Sequence, residues 1–225
     1  LALFILILFV KIPPIELRSD EKTGRLENYG ELIRNPTVLL FFLGIFAYVG
    51  CEQGISYWMS KFLAVYHGVD YETLGARVVA NFWGLMTLGG CLGLLLLKLL
   101  DSKIVLRVFT LCTMLSLLSG LFGAREWSIW ALPLTGFFMS VMYPIIFSLG
   151  MNSLDKQHGA FAGILVTGIM GGAIVQLLIG GLADWIGLRG AMLVNLLCLA
   201  YILSISFWAR PLVKNKTLEV LSKEN

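Results

Sequence analysis

Six long stretches of apolar residues, separated by short polar hinges, constrain this chain more than any other feature of its sequence. They occupy about residues 37–63, 76–100, 104–123, 127–151, 159–183 and 188–209. Each reaches the roughly 20 residues that a helix needs to cross a hydrocarbon core of about 30 Å. A single segment satisfies its own backbone hydrogen bonds in lipid only as a helix. The sequence therefore predicts an all-α transmembrane fold built as a six-helix bundle.

Composition agrees with a membrane protein and argues against most soluble classes. Hydrophobic residues make up 58% of the chain and charged residues 14%, whereas soluble domains have about 25% charged residues. The net charge of +3 is small and its basic residues are dispersed, so no nucleic-acid partner is expected. The four cysteines lack metal or redox spacing, and no metal or cofactor is expected. Because the sequence contains no zinc-protease, serine-hydrolase or Walker motif, an enzyme is not expected either.

The segments outside the bundle complete the domain organisation. Residues 1–10 are apolar but too short to span a bilayer, and we expect them to be the end of a truncated transmembrane helix. Residues 11–35 form the one long connection and carry charges of both signs. Residues 36–209 contain the six-helix bundle, and residues 210–225 form a polar tail.

The distribution of basic residues predicts the orientation of the chain. When successive hinges are assigned to alternate sides, 13 of the 17 lysines and arginines fall on the side of residues 11–35 and of the C-terminal tail. The other side keeps Lys61, Arg77, Arg125 and Arg189. Cytoplasmic loops of membrane proteins are enriched in basic residues. We therefore expect the long connection and the C-terminus to be cytoplasmic.

Glu52 is the strongest candidate for a functional side chain. It lies about halfway along the first full helix, where a charged group costs about 3 kcal/mol and usually faces a wet cavity or a partner. Ser56 and Ser60 follow at helical spacing and Gln53 adjoins it, which gives the helix a polar stripe. The functional hypothesis is a proton-titrating or substrate-binding group. The alternative is a protonated or hydrogen-bonded glutamate that holds two helices together.

Other helices carry further candidates. Asn81 needs a hydrogen-bond partner, either another helix or a ligand, and Gln176 is a weaker candidate of the same kind. Tyr143 can stack on a sugar ring and donate a hydrogen bond, or it can belong to the core. Pro144 removes a backbone hydrogen bond and is expected to kink its helix. Broken helices near the midplane are frequent at transporter binding sites.

Two glycine pairs have the spacing of helix contacts. Gly89 with Gly93, and Gly168 with Gly172, are each four residues apart. Small residues at this spacing let membrane helices approach closely. We interpret all four as packing or hinge positions.

Three parts of the sequence are similar to successive helices of one transporter family. Residues 136–150 are similar to a tenth helix, residues 168–175 and 180–184 to an eleventh, and residues 48–52, which begin with Tyr48, to the start of a seventh. These runs resemble the fucose permease family, a group of sugar/proton symporters in the major facilitator superfamily.

This resemblance implies a fold, a function and a location. The chain would be the C-terminal six-helix half of a secondary transporter, residues 11–35 would join it to a missing N-terminal half, and the protein would lie in a bacterial inner membrane. The implied activity is proton-coupled uptake of a monosaccharide, such as fucose or another hexose, by alternating access. The expected substrate and proton pathway comprises Tyr48, Glu52, Gln53, Asn81, Tyr143 and Gln176.

One departure keeps other functions open. Many family members carry Gly-Arg in the eighth helix, where residues 88–91 here contain no arginine. The missing arginine leaves the particular sugar open. Residues 81–83 resemble a related branch of permeases, so a permease for a solute other than a sugar is an alternative. Two more are a truncated remnant or membrane interaction module that does not transport, and a half-size transporter that works as a homodimer.

Overall fold

The computed structural model describes residues 26–212, and the regular structure in that range is helical, with no strand. The expected helix end at residues 1–10, most of the connection at 11–35 and most of the tail at 210–225 lie outside the described residues.

Nine α-helices follow one another in the described range. They are α1 (Leu26–Arg34), α2 (Pro36–His67), α3 (Ala76–Leu99), α4 (Ser102–Phe122), α5 (Arg125–Met139), α6 (Met142–Met151), α7 (His158–Thr167), α8 (Gly171–Met192) and α9 (Val194–Trp208). A π-helical turn, Tyr71–Gly75, leads into α3, and a 3-10 turn, Gly168–Met170, joins α7 to α8.

Helix α1 lies within the connection for which the sequence analysis predicted no helix. It buries Leu32 while Glu31 and Arg34 remain exposed. The next helix begins at once, because the Asn35 side chain accepts a hydrogen bond from the Thr37 backbone N–H at 2.9 Å. Pro36 occupies the first turn of α2, where its missing N–H costs nothing.

Five helical units in residues 26–212 are long and apolar enough to cross a membrane. They are Pro36–His67, Tyr71–Leu99, Ser102–Phe122, Arg125–Met151 and His158–Met192. These units contain the first five predicted stretches, apart from the last residue of the second stretch and the last residue of the third. The all-α transmembrane fold is thus confirmed, and its cause is the length and apolarity of each segment.

The sixth predicted stretch, residues 188–209, differs from a single long helix. Helix α8 continues as far as Met192, and α9 has only 15 residues. Gly187 interrupts α8 with φ 75° and ψ 156°, a conformation that glycine adopts without strain. The last crossing therefore combines the end of α8 with α9, and the hinge predicted at residues 184–187 is the bend at Gly187.

Helix α2 lies at the centre of the described bundle. It packs against α8, α9, α6 and α7, while α5 packs against α3 and α4. Phe41, Ile45, Met59 and Phe62 of α2 are fully buried in this core. By contrast, most of α3 is exposed, including Leu94. An apolar helix face left open in this way suits lipid or a second bundle.

Candidate functional site

Tyr48 and Glu52 lie one turn apart on α2 and form a hydrogen bond. The Tyr48 hydroxyl donates to Oε1 of Glu52 at 3.0 Å. The Tyr48 side chain is buried, 3% exposed, whereas Glu52 is half-buried. The carboxyl group thus has one fixed partner in the bundle and keeps part of its surface at the edge of the packed core.

Tyr143 brings α6 to the same place. Its ring centroid lies 5.8 Å from that of Tyr48 and 6.1 Å from that of Phe147. Aromatic rings at such distances attract one another. Because Tyr143 is half-buried, part of it remains available to a ligand. We call Tyr48, Glu52 and Tyr143 the tyrosine–glutamate cluster.

A break in the fourth spanning unit precedes Tyr143. Helix α5 ends at Met139 and α6 begins at Met142, so residues 140 and 141 interrupt the helix. Pro144 has no backbone N–H and cannot bond to the carbonyl group of Ser140. The regular pattern resumes where the Ile145 N–H donates to the Val141 carbonyl oxygen at 3.2 Å. Pro144 accounts for the position of this break, which starts α6 immediately before Tyr143.

Gln53 and Gln176 join α2 to α8. Nε2 of Gln176 donates to the backbone carbonyl oxygen of Gln53 at 3.3 Å. One turn further along α2, the Trp58 indole donates to the carbonyl oxygen of Gln176 at 3.2 Å. These two bonds make Gln176 a link between helices, in addition to any contact with a solute. The structure does not bring Gln176 into the tyrosine–glutamate cluster.

Asn81 lies on α3 beside the contact between α3 and α5. Its neighbour Phe82 is fully buried, and a methyl group added at Gly136 would overlap the Phe82 carbonyl oxygen. Successive helix residues are about 100° apart, so Asn81 points to one side of this contact and is half-buried.

The four candidate glycines lie where helices touch. A methyl group at Gly89 would overlap the Phe137 carbonyl oxygen, and one at Gly93 would overlap Val141. At Gly168 it would lie 3.1 Å from Ile45, and at Gly172 it would lie 3.0 Å from Gln53. Gly89 and Gly93 therefore determine how closely α3 approaches the end of α5 and the break that follows it. Gly168 and Gly172 determine how closely α2 approaches the α7–α8 region.

A groove of about 380 Å³ opens between α2 and the start of α3. We call it the rim groove; it is lined by Gln53, Ser56, Tyr57, Ser60, Tyr71, Ala76, Val79 and Trp83. Sequence analysis placed Gln53, Ser56 and Ser60 on the polar stripe of α2. It missed Tyr57 and Tyr71, although two tyrosines next to a polar stripe are a visible signal.

The side chains of this region suit a polyhydroxylated solute. A carboxylate accepts hydrogen bonds, and its protonated form also donates one. Tyrosine offers an apolar ring face together with a hydroxyl group. A small number of polar groups set among aromatic side chains is the usual lining of a small-molecule site.

The relatives of this chain are membrane transporters. The Major Facilitator Superfamily matches residues 1–170. A glucose/galactose transporter of Brucella abortus is 32% identical over 198 residues, which is 87% of this chain and 48% of the relative. The L-fucose-proton symporter of Escherichia coli is 29% identical over 207 residues, covering 88% of this chain and 46% of the symporter. The chain thus spans about half the length of the curated relatives it matches.

Solved structures show the same fold. The crystal structure of the E. coli fucose:proton symporter FucP superposes with a TM-score of 0.81 at 26% identity, covering 92% of this chain and 51% of that one. A peptide transporter, POT, superposes with a TM-score of 0.61 at 16% identity and covers 94% of this chain. The similarity to the peptide transporter concerns the fold alone.

Proposed function

This chain belongs to the major facilitator superfamily, and from that premise we propose that it forms one six-helix bundle of a sugar transporter. The resemblance to the fucose permease family is confirmed by the relatives and by the FucP fold. Since the family consists of transporters, the expectation that the chain is not an enzyme is confirmed as well. The apolar helices make it a multi-pass membrane protein.

The tyrosine–glutamate cluster carries the proposal. It places a carboxyl group and two aromatic rings from different helices within one small region, with Glu52 and Tyr143 each only half-buried. Relatives named for glucose, galactose and fucose transport support a hexose as the solute. In the proposed site, Tyr143 stacks on the sugar ring and Glu52 accepts a hydrogen bond from a sugar hydroxyl.

Proton coupling is assigned to Glu52 in the same proposal. An ionised carboxylate inside a membrane is costly, so Glu52 binds a proton readily while it is shielded from water. When the cavity opens to the side of lower proton concentration, the carboxyl group loses that proton and the Tyr48 hydroxyl stabilises the resulting charge. The name of one relative, an L-fucose-proton symporter, supports this coupling.

Alternating access is proposed to use the break before Tyr143 and the glycine contacts. The break at residues 140–141 lets α6 tilt relative to α5. Gly168 and Gly172 lie close against α2 and have no side chain that would have to clear it when α2 moves against the α7–α8 region. Movement of these helices changes the distance between Tyr143 and Glu52. In this arrangement a companion six-helix bundle closes the other side of the cavity.

The location proposed for the protein is a bacterial inner membrane, with residues 11–35 and the C-terminus in the cytoplasm. The skew of 13 basic residues to 4 supports this orientation. A sugar permease in that membrane would take up its solute from the outer side.

Uptake measurements test the function. The full-length protein in membrane vesicles is supplied with radiolabelled fucose, glucose or galactose, with and without an inward proton gradient. The proposal expects uptake of at least one of these hexoses and its stimulation by the gradient. Uptake without stimulation would remove the proton coupling alone, whereas no uptake of any hexose would remove the sugar assignment and favour a permease for another solute.

A further inference from the structure

The rim groove lies apart from the tyrosine–glutamate cluster and has its own chemistry. We propose that it is a second sugar-binding site, which captures a monosaccharide at one end of the bundle before the solute reaches Glu52. This inference rests on the proposed function, because it takes its ligand class from a sugar transporter.

The walls of the groove are aromatic and exposed. Tyr57 is 61% exposed, Tyr71 57% and Trp83 40%, and these three rings belong to α2, to the π-helical turn and to α3. Its floor consists of polar residues: Ser56 and Ser60 are buried and Gln53 is half-buried. A sugar ring has an apolar C–H face and an edge of hydroxyl groups, so it matches aromatic walls over a hydroxyl and amide floor.

Not every groove in the described residues has this combination. One between α4 and α5 is lined by Leu115, Trp127, Trp130, Leu134 and Phe138 among others, and its lining is almost entirely apolar. Such a surface suits acyl chains. The volume of the rim groove, about 380 Å³, lies in the usual range of about 300–1,000 Å³ for small-molecule sites.

The π-helical turn fixes one wall of the groove. The Gly75 N–H donates to the carbonyl oxygen of Asp70 at 2.9 Å, a bond across five residues. Asp70 also caps the turn, since its carboxylate accepts hydrogen bonds from the Glu72 N–H at 2.9 Å and the Thr73 hydroxyl at 3.0 Å. Both bonds lower the pKa of Asp70. Isolated π-helical turns occur frequently at functional sites.

Close packing holds that wall against α2. The Ser60 hydroxyl donates to the Tyr71 carbonyl oxygen at 3.4 Å, and a methyl group at Gly75 would overlap Oγ of Ser60. The backbone of Tyr71 is thereby held in place while its ring remains exposed. A preformed wall lowers the entropic cost of binding a ligand.

The polar stripe of α2 connects the groove with Glu52. Ser56 and Ser60 lie four and eight residues beyond Glu52, which is about 6 and 12 Å along the helix. The groove begins beside Glu52, since Gln53 lines it, but none of the three residues of the tyrosine–glutamate cluster does. It is therefore a distinct site on the same path. The charge distribution predicts that this end of the bundle faces the outside, where a sugar permease first meets its solute.

Uptake kinetics of the full-length transporter test the inference. Trp83→Ala is expected to raise KM for the transported hexose about three- to tenfold, the effect of losing one aromatic contact, with the maximal rate unchanged. Trp83→Phe keeps a ring and is expected to restore most of the affinity. The matched control is Trp130→Ala, an exposed tryptophan of the apolar groove, which should leave both parameters unchanged. An unchanged KM in Trp83→Ala, or a fall in maximal rate alone, would overturn the second site.

A labelling experiment keeps the inference testable if Trp83→Ala does not fold. In a variant of the full-length protein whose native cysteines are replaced by serine, Ala76→Cys is treated with a water-soluble maleimide. We expect labelling from outside that the hexose slows. No labelling would show that water does not reach the groove. Labelling that the hexose does not slow would show that the sugar does not bind there. Either result overturns the second site. If only the second-site proposal is wrong, the wild-type protein still takes up the hexose. If the proposed function itself is wrong, the wild-type protein takes up no hexose.

Discussion

At the scale of single residues, Glu52 has two properties of an intramembrane ionisable group that faces a wet cavity. It carries an ionisable group in an apolar segment, and it is only half-buried beside a buried hydroxyl donor. A glutamate that served only to hold helices together would instead bond to a residue of another helix. Its partner, Tyr48, belongs to the same helix, which favours the functional reading of the two that the sequence left open.

Glu52→Gln tests the coupling role. The amide keeps the size and hydrogen-bonding ability of the side chain but cannot carry a proton. We expect gradient-driven hexose uptake to fall at least about tenfold, equivalent to about 1.4 kcal/mol, while exchange of labelled for unlabelled sugar continues without a gradient. Glu126→Gln, on the exposed first turn of α5, is the control and should leave both unchanged. If Glu52→Gln still shows full gradient-driven uptake, the proton is carried elsewhere.

Two substitutions of Tyr143 distinguish the contribution of ring stacking from that of the hydroxyl hydrogen bond. Tyr143→Phe keeps the ring that faces Tyr48 and removes only the hydroxyl group, so we expect a KM within about threefold of wild type. Tyr143→Ala loses the ring, which contributes about 0.5–1.5 kcal/mol to a well-placed aromatic contact, and KM should rise by up to about tenfold. The uptake assay described above measures both. If both substitutions raise KM by the same factor, Tyr143 contributes to sugar binding through its hydroxyl group alone.

At the scale of elements, the sequence predicted the spanning helices because membrane thickness fixes their length and the bilayer excludes other backbone structure. The sequence did not predict α1, because its nine residues are mostly polar and give too short an apolar pattern around the buried Leu32. The sequence predicted a hinge at residues 184–187, but it did not predict that the final helix is short. The bend at Gly187, where φ is positive, depends on how α8 turns toward α9. Local patterns therefore predict which segments cross the membrane, and tertiary contacts decide where they bend.

Adjacent glycines of α3 give a matched test of helix packing. A methyl group at Gly89 would overlap the Phe137 carbonyl oxygen, whereas one at Gly90 would meet open space. Gly89→Ala should destabilise the bundle by about 1–3 kcal/mol because α3 and α5 must separate. Gly90→Ala should be neutral or stabilise by up to about 1 kcal/mol through its better helix propensity. Thermal unfolding of the purified full-length protein compares the two, and equal melting temperatures would show that α3 does not pack as closely as described.

The polar residues of the candidate site could be predicted from the sequence, but the contacts that bring its residues together could not. Glu52, Gln53 and Asn81 are visible as polar residues in apolar helices. The contact of Tyr48 with Tyr143 joins residues nearly a hundred positions apart and depends on the break before Pro144. The rim groove depends on a π-helical turn, which no periodicity in the sequence indicates. Gln176 was predicted for the pathway, and its bonds to α2 give it a structural role as well.

At the scale of the whole molecule, orientation follows from charge. Because 13 of the 17 basic residues lie on one side, we expect green fluorescent protein fused after residue 225 to fluoresce, since this reporter folds in the cytoplasm. The same reporter inserted after Arg125, in a hinge of the other side, should remain dark. The reverse pattern would invert the protein and place the rim groove on the cytoplasmic side.

The open faces of the bundle bear on its use in a larger assembly. Large apolar side chains such as Leu94 and Leu177 are 69% and 77% exposed, and the half-buried side of the tyrosine–glutamate cluster has no cover among residues 26–212. The chain also spans about half the length of its relatives. The proposed companion bundle would close over Glu52 and Tyr143 and would leave a water-filled cavity between itself and this bundle.

Cysteine accessibility measures that cavity directly. In the full-length protein without native cysteines, Glu52→Cys and Tyr143→Cys are treated with a water-soluble thiol reagent applied to each face of the membrane, with Leu115→Cys on the apolar side of α4 as the control. We predict that positions 52 and 143 react and that position 115 does not. If neither position 52 nor position 143 reacts from either face, no aqueous cavity reaches the cluster and the transport site is not there.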